Sequence, residues 1–456
     1  MFGEIGKHRV FFAVATCILF ASFAFNVFGA VSAAAFAQNF KDSEALIVND
    51  VRCEGRYFSG QLMELKTPNA TNTQKTCNPD ALRAYSSQFG LQGRLYTFGY
   101  KLIRWVAPLP VGPYVIAMQL LTALLSALSV ALVALWVRAR FARAPAIMVT
   151  FFLACSPMLV GFGRNLYWAL PLMVLPFVAA LYFYGTYAAT SNRKHAALFW
   201  LAIGVLLYLR YLCGYEYLTT LTIMVAAAVG YHLWISRSSR ETYIKQFGLV
   251  LAVSVGAFLL ALGTHIVSLQ AYAGSPSKAA AIIKQRALER TTHAGSYLAY
   301  PVTGLKANLP DQAIVVDSYL DLNTRAEHPS QFWASIASFI NYAFLPVWTS
   351  PIMLTPLLAV YVQSLTVFVV VLILLYIKRE RWVVKRQVRS VEALFMGAAI
   401  GFVGFLSWLV LARSHSLVHA HINGILLYLP FAFFGFTIIA LFITERYGVL
   451  RKRMKW

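Results

Sequence analysis

Apolar runs of roughly 20 residues alternate with shorter polar segments along most of the chain. An α-helix needs about 20 apolar residues to cross the hydrocarbon core of a bilayer, so each run predicts a spanning helix. Ten such helices are predicted, at 9–37, 112–137, 145–162, 168–190, 196–212, 217–236, 247–271, 354–377, 393–412 and 424–443. The first run ends in AVSAAAFA, which is similar to a cleavage site, but the length of the run favours an uncleaved anchor.

The composition supports a membrane protein. Hydrophobic residues make up 59% of the 456 residues and charged residues only 12%, whereas soluble domains carry roughly 25% charged residues. The sequence therefore predicts one all-α, polytopic membrane domain over residues 1–456, with no internal repeat.

The net charge of +22 comes mainly from short clusters of Lys and Arg between the apolar runs. Such clusters are typical of cytoplasmic loops, and they also attract anionic lipids. We therefore predict the lipid bilayer, and not nucleic acid, as the partner of these charges. The clusters are Arg138, Arg140 and Arg143; Arg193 and Lys194; Arg237 and Arg240; 378–389; and 446–455.

An N-terminus in the cytoplasm places every basic cluster on the inner side and two long segments, 38–111 and 272–353, on the outer side. The apolar stretch 330–348 would move the basic segment 378–389 outside if it crossed, so we interpret it as interfacial or re-entrant. The second long segment also contains an amphipathic helical pattern at 274–301. The predicted location is the bacterial inner membrane, with any chemistry facing the periplasm.

Two cysteines, Cys53 and Cys77, lie in the first outer segment. An oxidising compartment allows them to pair, so we predict a disulfide between them. Cys155 and Cys213 fall near the outer ends of predicted helices, where a second pair is an open alternative.

The first outer segment is the main candidate for chemistry. Its stretch NDVRCEGRYFSG contains Asp50, Glu54, Arg56 and Tyr57, and the following stretch 83–105 predicts one or two amphipathic helices on the membrane. A carboxylate at the membrane surface acts as a general base toward an acceptor hydroxyl, and nearby cations hold a phosphate leaving group. Asp50 and Glu54 are the two candidate bases, and each alternatively is a solvated loop acid.

Two short outer turns repeat a pattern of Arg with aromatic residues. GFGRNLYW supplies Arg164, Tyr167 and Trp168, which predict a phosphate clamp with an aromatic platform for a sugar. The alternative is an interfacial aromatic belt with a snorkelling Arg. RYLCGYEY supplies Arg210 and Glu216, which suit the same role or a structural Arg–Glu pair.

A third turn contains His415 and His419, which share one helical face if this stretch is helical. Hydrogen bonding to sugar or phosphate, metal binding and structural packing are all open for them. The chain has no Walker A, HExxH, GxSxG or CxxC pattern, and the first outer segment has no DxD cluster. We therefore expect no cofactor and no metal site, with a divalent metal as the less favoured alternative.

Together these features resemble the GT-C superfamily of integral membrane glycosyltransferases. Locally, Glu54-Gly55-Arg56-Tyr57 with Asp50 four residues earlier is similar to the loop-one motif of the lipid A aminoarabinose transferase and protein O-mannosyltransferase group. That group carries an adjacent acidic pair, which is absent here, so the choice between Asp50 and Glu54 stays open.

The resemblance implies a fold of about ten helices with membrane-parallel helices in the outer loops. It also implies a polyprenyl-phosphate-linked sugar as donor, and a glycan, glycolipid or protein as acceptor. The base would be a loop-one carboxylate. By role, Arg164 and Arg210 would hold the donor phosphate.

Two other classes remain as alternatives. An O-antigen polymerase or ligase would rest on the late outer segment 272–353 and on the His415 group. A transporter or flippase would place polar residues at mid-membrane between related halves, and the sequence has neither.

Overall fold

A computed structural model describes residues 2–38, 41–66, 76–188, 192–291, 347, 364–383, 387–412 and 420–453. The described chain is mostly helical. Its α-helices are α1 Phe2–Lys7, α2 Arg9–Phe25, α3 Ala33–Gln38, α4 Lys41–Arg52, α5 Leu91–Val106, α6 Val111–Arg140, α7 Arg143–Ala154, α8 Pro157–Gly163, α9 Leu170–Phe183, α10 Arg193–Cys213, α11 Leu218–Ile235, α12 Arg240–Ala273, α13 Pro276–Thr291, α14 Leu365–Ile377, α15 Arg379–Trp382, α16 Val388–Leu411, α17 Ala420–Asn423, α18 Ile425–Leu427 and α19 Phe433–Arg453. Its strands are β1 Leu62–Leu65 and β2 Leu82–Tyr85.

Seven helical stretches of the described chain are long and apolar enough to span a bilayer. They are Val111–Arg140, Leu170–Tyr187, Arg193–Cys213, Leu218–Ile235, Arg240–Ala273, Val388–Leu411 and Ile425–Tyr447. The pair α7 and α8 passes the same test together but is bent by 68°, and α2 and α14 are apolar but shorter. The chain is therefore a multi-pass membrane protein, while the count of ten spans stays a prediction.

The first predicted span is wrong in its second half. Helix α2 ends at Phe25, because Asn26 adopts a left-handed conformation with φ of 52°. The Asn26 side chain then donates to the carbonyl of Val31 at 2.6 Å, which fixes a turn in place of continued helix. The apolar residues after this turn belong to a separate short helix, α3.

The first outer segment departs from the all-α prediction. Strands β1 and β2 pair antiparallel, with Glu64 opposite Arg83, and these two side chains form an ion pair at 2.9 Å. The strands were not predicted, because runs of four residues are too short for a clear alternating pattern. Helix α4 before them and α5 after them complete a layer, which we call the loop-one layer (residues 41–66 and 76–106).

Small residues bring the spanning helices close together. A Cβ atom at Gly397, Gly401 or Gly404 of α16 would lie within 3.1 Å of a neighbouring side chain. These glycines recur at helical spacing, so one face of α16 approaches its neighbours with no side chain between them. Thr220 of α11 donates to the carbonyl of Gly404 at 2.9 Å across this contact.

The helix bundle has two ends, one with the loop-one layer and one with the short basic loops. At the loop-one end, Gln92 of α5 donates to the carbonyls of Tyr167 at 2.8 Å and Cys213 at 3.0 Å, which ties the loop-one layer to two helix turns. At the basic end, Arg389 donates to the carbonyl of Ile235 at 3.0 Å. The predicted clusters at Arg138–Arg143 and Arg237–Arg240 follow or precede helices at this basic end.

Candidate functional site

Asp50 is a buried carboxylate in the last turn of α4, with only 2% of its surface exposed. The Thr97 hydroxyl of α5 donates to its Oδ2 at 2.5 Å. Its other oxygen, Oδ1, has no hydrogen-bond partner within the described ranges. Burial raises the pKa of Asp50 to about 6, against the opposing effects of the Thr97 hydrogen bond and the charges of Arg94 and Lys101.

The backbone turn after α4 keeps space beside this carboxylate. The Gly55 amide donates to the Asp50 carbonyl at 3.0 Å, and Gly55 has a φ of +58°. A side chain there would be strained, and its Cβ would lie 3.3 Å from Thr97 Cγ2 and 3.8 Å from Asp50 Oδ1. Glycine at this position leaves room next to the free carboxylate oxygen.

Helix α5 supplies the groups that surround Asp50. Arg94, Thr97 and Lys101 recur at i, i+3 and i+7 and share one helix face. Arg94 donates to the Ser268 hydroxyl of α12 at 2.6 Å and lies 4.1 Å over the Phe89 ring. Burial lowers the pKa of Arg94, and the nearby Asp50 charge opposes this effect.

Two more buried polar groups, Gln61 of the loop-one layer and His265 of α12, lie near the loop-one end of α12. Gln61 donates to the Ser268 hydroxyl at 3.1 Å, while its Oε1 lacks a partner in the described structure. His265, three residues before Ser268, is fully buried and its Nδ1 lies 3.0 Å from the Tyr215 hydroxyl. Its Nε2 is likewise without a partner among the residues described.

Buried polar atoms are almost always hydrogen-bonded, to protein or to ordered water. Asp50 Oδ1, Gln61 Oε1 and His265 Nε2 are three such atoms without a protein partner in the described segments. Arg94 connects them, since its charge acts on Asp50 and it shares Ser268 with Gln61. This cluster at the loop-one end suits a polar, anionic ligand.

Glu54, the second predicted base, is engaged elsewhere. Its Oε1 accepts from Arg104 and its Oε2 accepts from Arg56. Each oxygen therefore already meets a guanidinium, whereas Asp50 has an oxygen free. The geometry favours Asp50 over Glu54 as a proton acceptor.

Arg56 and Tyr57 lie on the surface of the loop-one layer. The Arg56 side chain is 65% exposed and its ion pair is with Glu54. Tyr57 is 36% exposed. The structure shows no contact of either side chain with Asp50 in the part that it describes.

Arg164, which follows α8, links this turn to α3. Its guanidinium donates to the Phe36 carbonyl at 2.6 Å and lies 3.8 Å over the Phe36 ring. The buried Glu44 is close by: its Oε1 accepts from the Leu166 amide at 3.1 Å and its Oε2 accepts from Gln119 at 2.9 Å. Arg164 thus binds the protein's own groups, while its buried Nε has no partner within the described chain. The sequence pattern did not single out Glu44.

Tyr167 is at the centre of a buried polar network. Its hydroxyl lies 3.0 Å from Gln88 Oε1, 3.4 Å from Glu216 Oε1 and 3.3 Å from the Tyr85 hydroxyl. Glu216 itself is only 3% exposed. This network joins the loop-one layer to the turns before α9 and α11.

Trp168 and Arg210 are buried beneath that network. Trp168 is 3% exposed and its ring stacks on Tyr217, with centroids 5.7 Å apart. Arg210 is 2% exposed and donates to the Gly214 carbonyl at 3.1 Å. Both side chains pack inside the protein, and among the described residues neither forms a hydrogen bond with Asp50.

Cys53 and Cys77 form a disulfide, with Cα atoms 5.2 Å apart. The bridge packs against Met63 and Leu82 and joins the end of α4 to the β-hairpin. Cys155 and Cys213 are not disulfide-bonded, so the alternative second pair is not formed.

The described residues contain no group of three or more His, Cys, Asp or Glu side chains arranged to hold a metal ion. His415 and His419 lie outside the described residues, as does most of the second outer segment beyond Thr291. Their predicted roles stay predictions.

Arg94, Thr97 and Lys101 were not singled out from the sequence, although their spacing on one face of an amphipathic pattern was a usable signal. Gln61, His265 and Ser268 left no signal, because only the tertiary structure brings them to α5. A comparison of the sequence with models of known protein families finds no match, and a search of characterised proteins finds no relative.

Proposed function

We propose that the protein is a glycosyltransferase of GT-C type, which moves a sugar from a polyprenyl-phosphate donor to an acceptor hydroxyl. The observation that carries this proposal is the buried Asp50 carboxylate, with one free oxygen and a pKa of about 6, beside Thr97 and the cations of α5. A general base works best when its pKa is near the working pH.

The residues suit an inverting displacement. The acceptor oxygen forms a bond to the anomeric carbon, its proton passes to Asp50 Oδ1, and the bond to the phosphate oxygen breaks. Arg94 and Lys101, whose charges already act on Asp50, would stabilise the departing phosphate. Thr97 would orient the carboxylate through its hydrogen bond to Oδ2.

The location of the cluster suits a donor with a lipid tail. On the neighbouring face of α5, about 100° around the helix, Leu95, Phe98, Leu102 and Trp105 are each more than half exposed. An apolar stripe of this kind favours a helix that lies in the membrane interface. A sugar linked to a membrane lipid would then reach Asp50 while its tail stays among lipids.

We place the reaction on the periplasmic face of a bacterial inner membrane, with a glycan, a glycolipid or a protein as the acceptor. Neither a cofactor nor a metal is required by this scheme, because the phosphate is already a good leaving group and the chain supplies its own cations.

The proposal is tested by sugar transfer from a panel of polyprenyl-phosphate monosaccharides, with purified protein in nanodiscs and a membrane extract as acceptor. We expect Asp50→Asn to reduce transfer by about 10²-fold or more, since general base catalysis contributes that much. Glu54→Gln should keep most of the activity. Glu64→Gln is the matched control, because Glu64 is a loop-one carboxylate paired with Arg83 away from the cluster.

A second measurement uses polyprenyl phosphate alone, the product that all such donors share. Native mass spectrometry should detect its binding to the wild type, and the binding should weaken in Arg94→Gln but not in Arg83→Gln. Equal retention of polyprenyl phosphate and unphosphorylated polyprenol by the wild type would contradict the proposal. Full transfer activity in Asp50→Asn would remove Asp50 as the base.

A further inference from the structure

A lateral groove of about 740 Å³ runs between α2 and α7 at the basic end of the bundle. It lies at the end opposite the Asp50 cluster, so the proposed function does not use it. The groove has a charged end and an apolar length.

Four cations line the charged end, and none of the described residues that line the groove is acidic. They are Lys7, Arg9, Arg138 and Arg143. None of them forms an ion pair with another part of the chain that the structure describes. The nearby Glu4 contacts His8 at 3.6 Å and pairs with none of these four cations among the described residues.

The rest of the groove is apolar. Val14 and Ile147 are each about half exposed on its walls, and the rings of Phe28 and Phe151 lie 5.7 Å apart at its far end. From Arg9 to Ile18 the helix rises roughly 14 Å. This length is close to half of the roughly 30 Å hydrocarbon core, which is the depth of one leaflet.

We propose that this groove binds one anionic phospholipid from the leaflet at the basic end. The lipid phosphate lies among Lys7, Arg9, Arg138 and Arg143, and one acyl chain follows α2 toward Phe28 and Phe151. The four cations select a headgroup with net negative charge over a zwitterionic one. The apolar length selects a lipid over a soluble phosphate, which would leave the walls of the groove unfilled.

Native mass spectrometry of the full chain, released from nanodiscs that contain equal amounts of phosphatidylglycerol and phosphatidylcholine, tests the charged end. The wild type should retain phosphatidylglycerol selectively. Arg138→Gln with Arg143→Gln should lower its retention by roughly tenfold or more, because each cation near a headgroup phosphate adds to binding. Arg193→Gln with Lys194→Gln is the matched control, since these two cations do not line the groove.

A second variant tests the apolar length. Val14→Trp adds bulk at an exposed wall position, so it should displace the acyl chain while the fold is kept. Loss of phosphatidylglycerol retention in this variant, with retention unaffected by added glycerol phosphate, supports a lipid. Equal retention of both lipids by the wild type, or equal retention of phosphatidylglycerol by the wild type and the double Gln variant, would overturn the proposal.

Discussion

Two carboxylates that lie four residues apart, Asp50 and Glu54, reach very different surroundings. Asp50 is on the last turn of α4 and faces α5, so it is buried against Thr97. Glu54 has a φ of +54° in the turn that follows, and its side chain meets Arg56 and Arg104. Asp50 is buried with a single hydrogen bond, so one of its oxygens can still accept a proton. Glu54 has two guanidinium partners, so its carboxylate is held in ion pairs.

Asp50 should make the protein less stable at neutral pH than an uncharged residue would. Its folded-state pKa of about 6 is above the ordinary 3.8, so the folded chain binds this proton more tightly. The resulting stability is complete below about pH 4 and is lost as the pH rises through about 6. Asp50→Asn keeps the uncharged form, so at pH 7.5 it should be more stable by on the order of 3 kcal/mol.

Thermal unfolding of the wild type and Asp50→Asn between pH 4 and pH 8 checks this expectation. The advantage of the variant should shrink as the pH falls, because the wild-type carboxyl becomes protonated. Glu64→Gln serves as the control, because it changes a carboxylate in the surface pair with Arg83 and leaves Asp50 in place. A wild type that is more stable than Asp50→Asn at pH 7.5 would refute the argument.

At the scale of single elements, α5 combines three tasks that separate along its faces. Gln92 anchors it to the bundle, Arg94 and Thr97 belong to the Asp50 cluster, and the exposed apolar stripe lies on the neighbouring face. Its amphipathic character was predictable from the sequence, because apolar periodicity is a local property. Its contact with Ser268 was not predictable, since Ser268 lies 174 residues after Arg94 along the chain.

The same contrast explains which elements were missed. The spanning helices follow from hydropathy, which needs no knowledge of neighbours. Strands β1 and β2 are held by each other and by the bridge of Cys53 and Cys77, so their pairing depends on contacts that four-residue patterns do not encode. Arg164 and Trp168 looked like ligand-binding groups, but their burial among Phe36 and Tyr217 is a tertiary property.

The disulfide should stabilise the loop-one layer. It closes a loop with a sequence separation of 24, for which the chain-entropy model gives about 3 kcal/mol. Cys53 is three residues after Asp50, so loss of the bridge should loosen the end of α4 as well. Cys53→Ser with Cys77→Ser should lower the midpoint of thermal unfolding and increase proteolysis within residues 41–106.

Cys17→Ser is the control for this variant, because Cys17 is an exposed free thiol at a distance from the loop-one layer. The double variant should also lose part of its transfer activity through displacement of Asp50. Unchanged proteolysis of the loop-one layer in the double variant would show that β1, β2 and α4 hold together without the bridge.

At the scale of the whole molecule, the Asp50 cluster and the short basic loops are at opposite ends of one helix bundle. The Asp50 cluster and the turns near Tyr167 and Cys213 meet at the loop-one end. The cations of the lateral groove between α2 and α7, together with Arg389, lie at the basic end. Basic loops stay in the cytoplasm during membrane insertion, so this segregation predicts that the loop-one end faces the periplasm.

Cysteine labelling in intact cells tests this orientation. Asp80→Cys places a thiol on an exposed part of the loop-one layer. Lys194→Cys places one at the exposed start of α10, at the basic end. Both are made in a Cys17→Ala background, which removes the exposed native thiol. A membrane-impermeant maleimide should label the first variant in intact cells, and the second only after the membrane is permeabilised. The reverse pattern would place Asp50 in the cytoplasm and would contradict a transferase that acts on the periplasmic face.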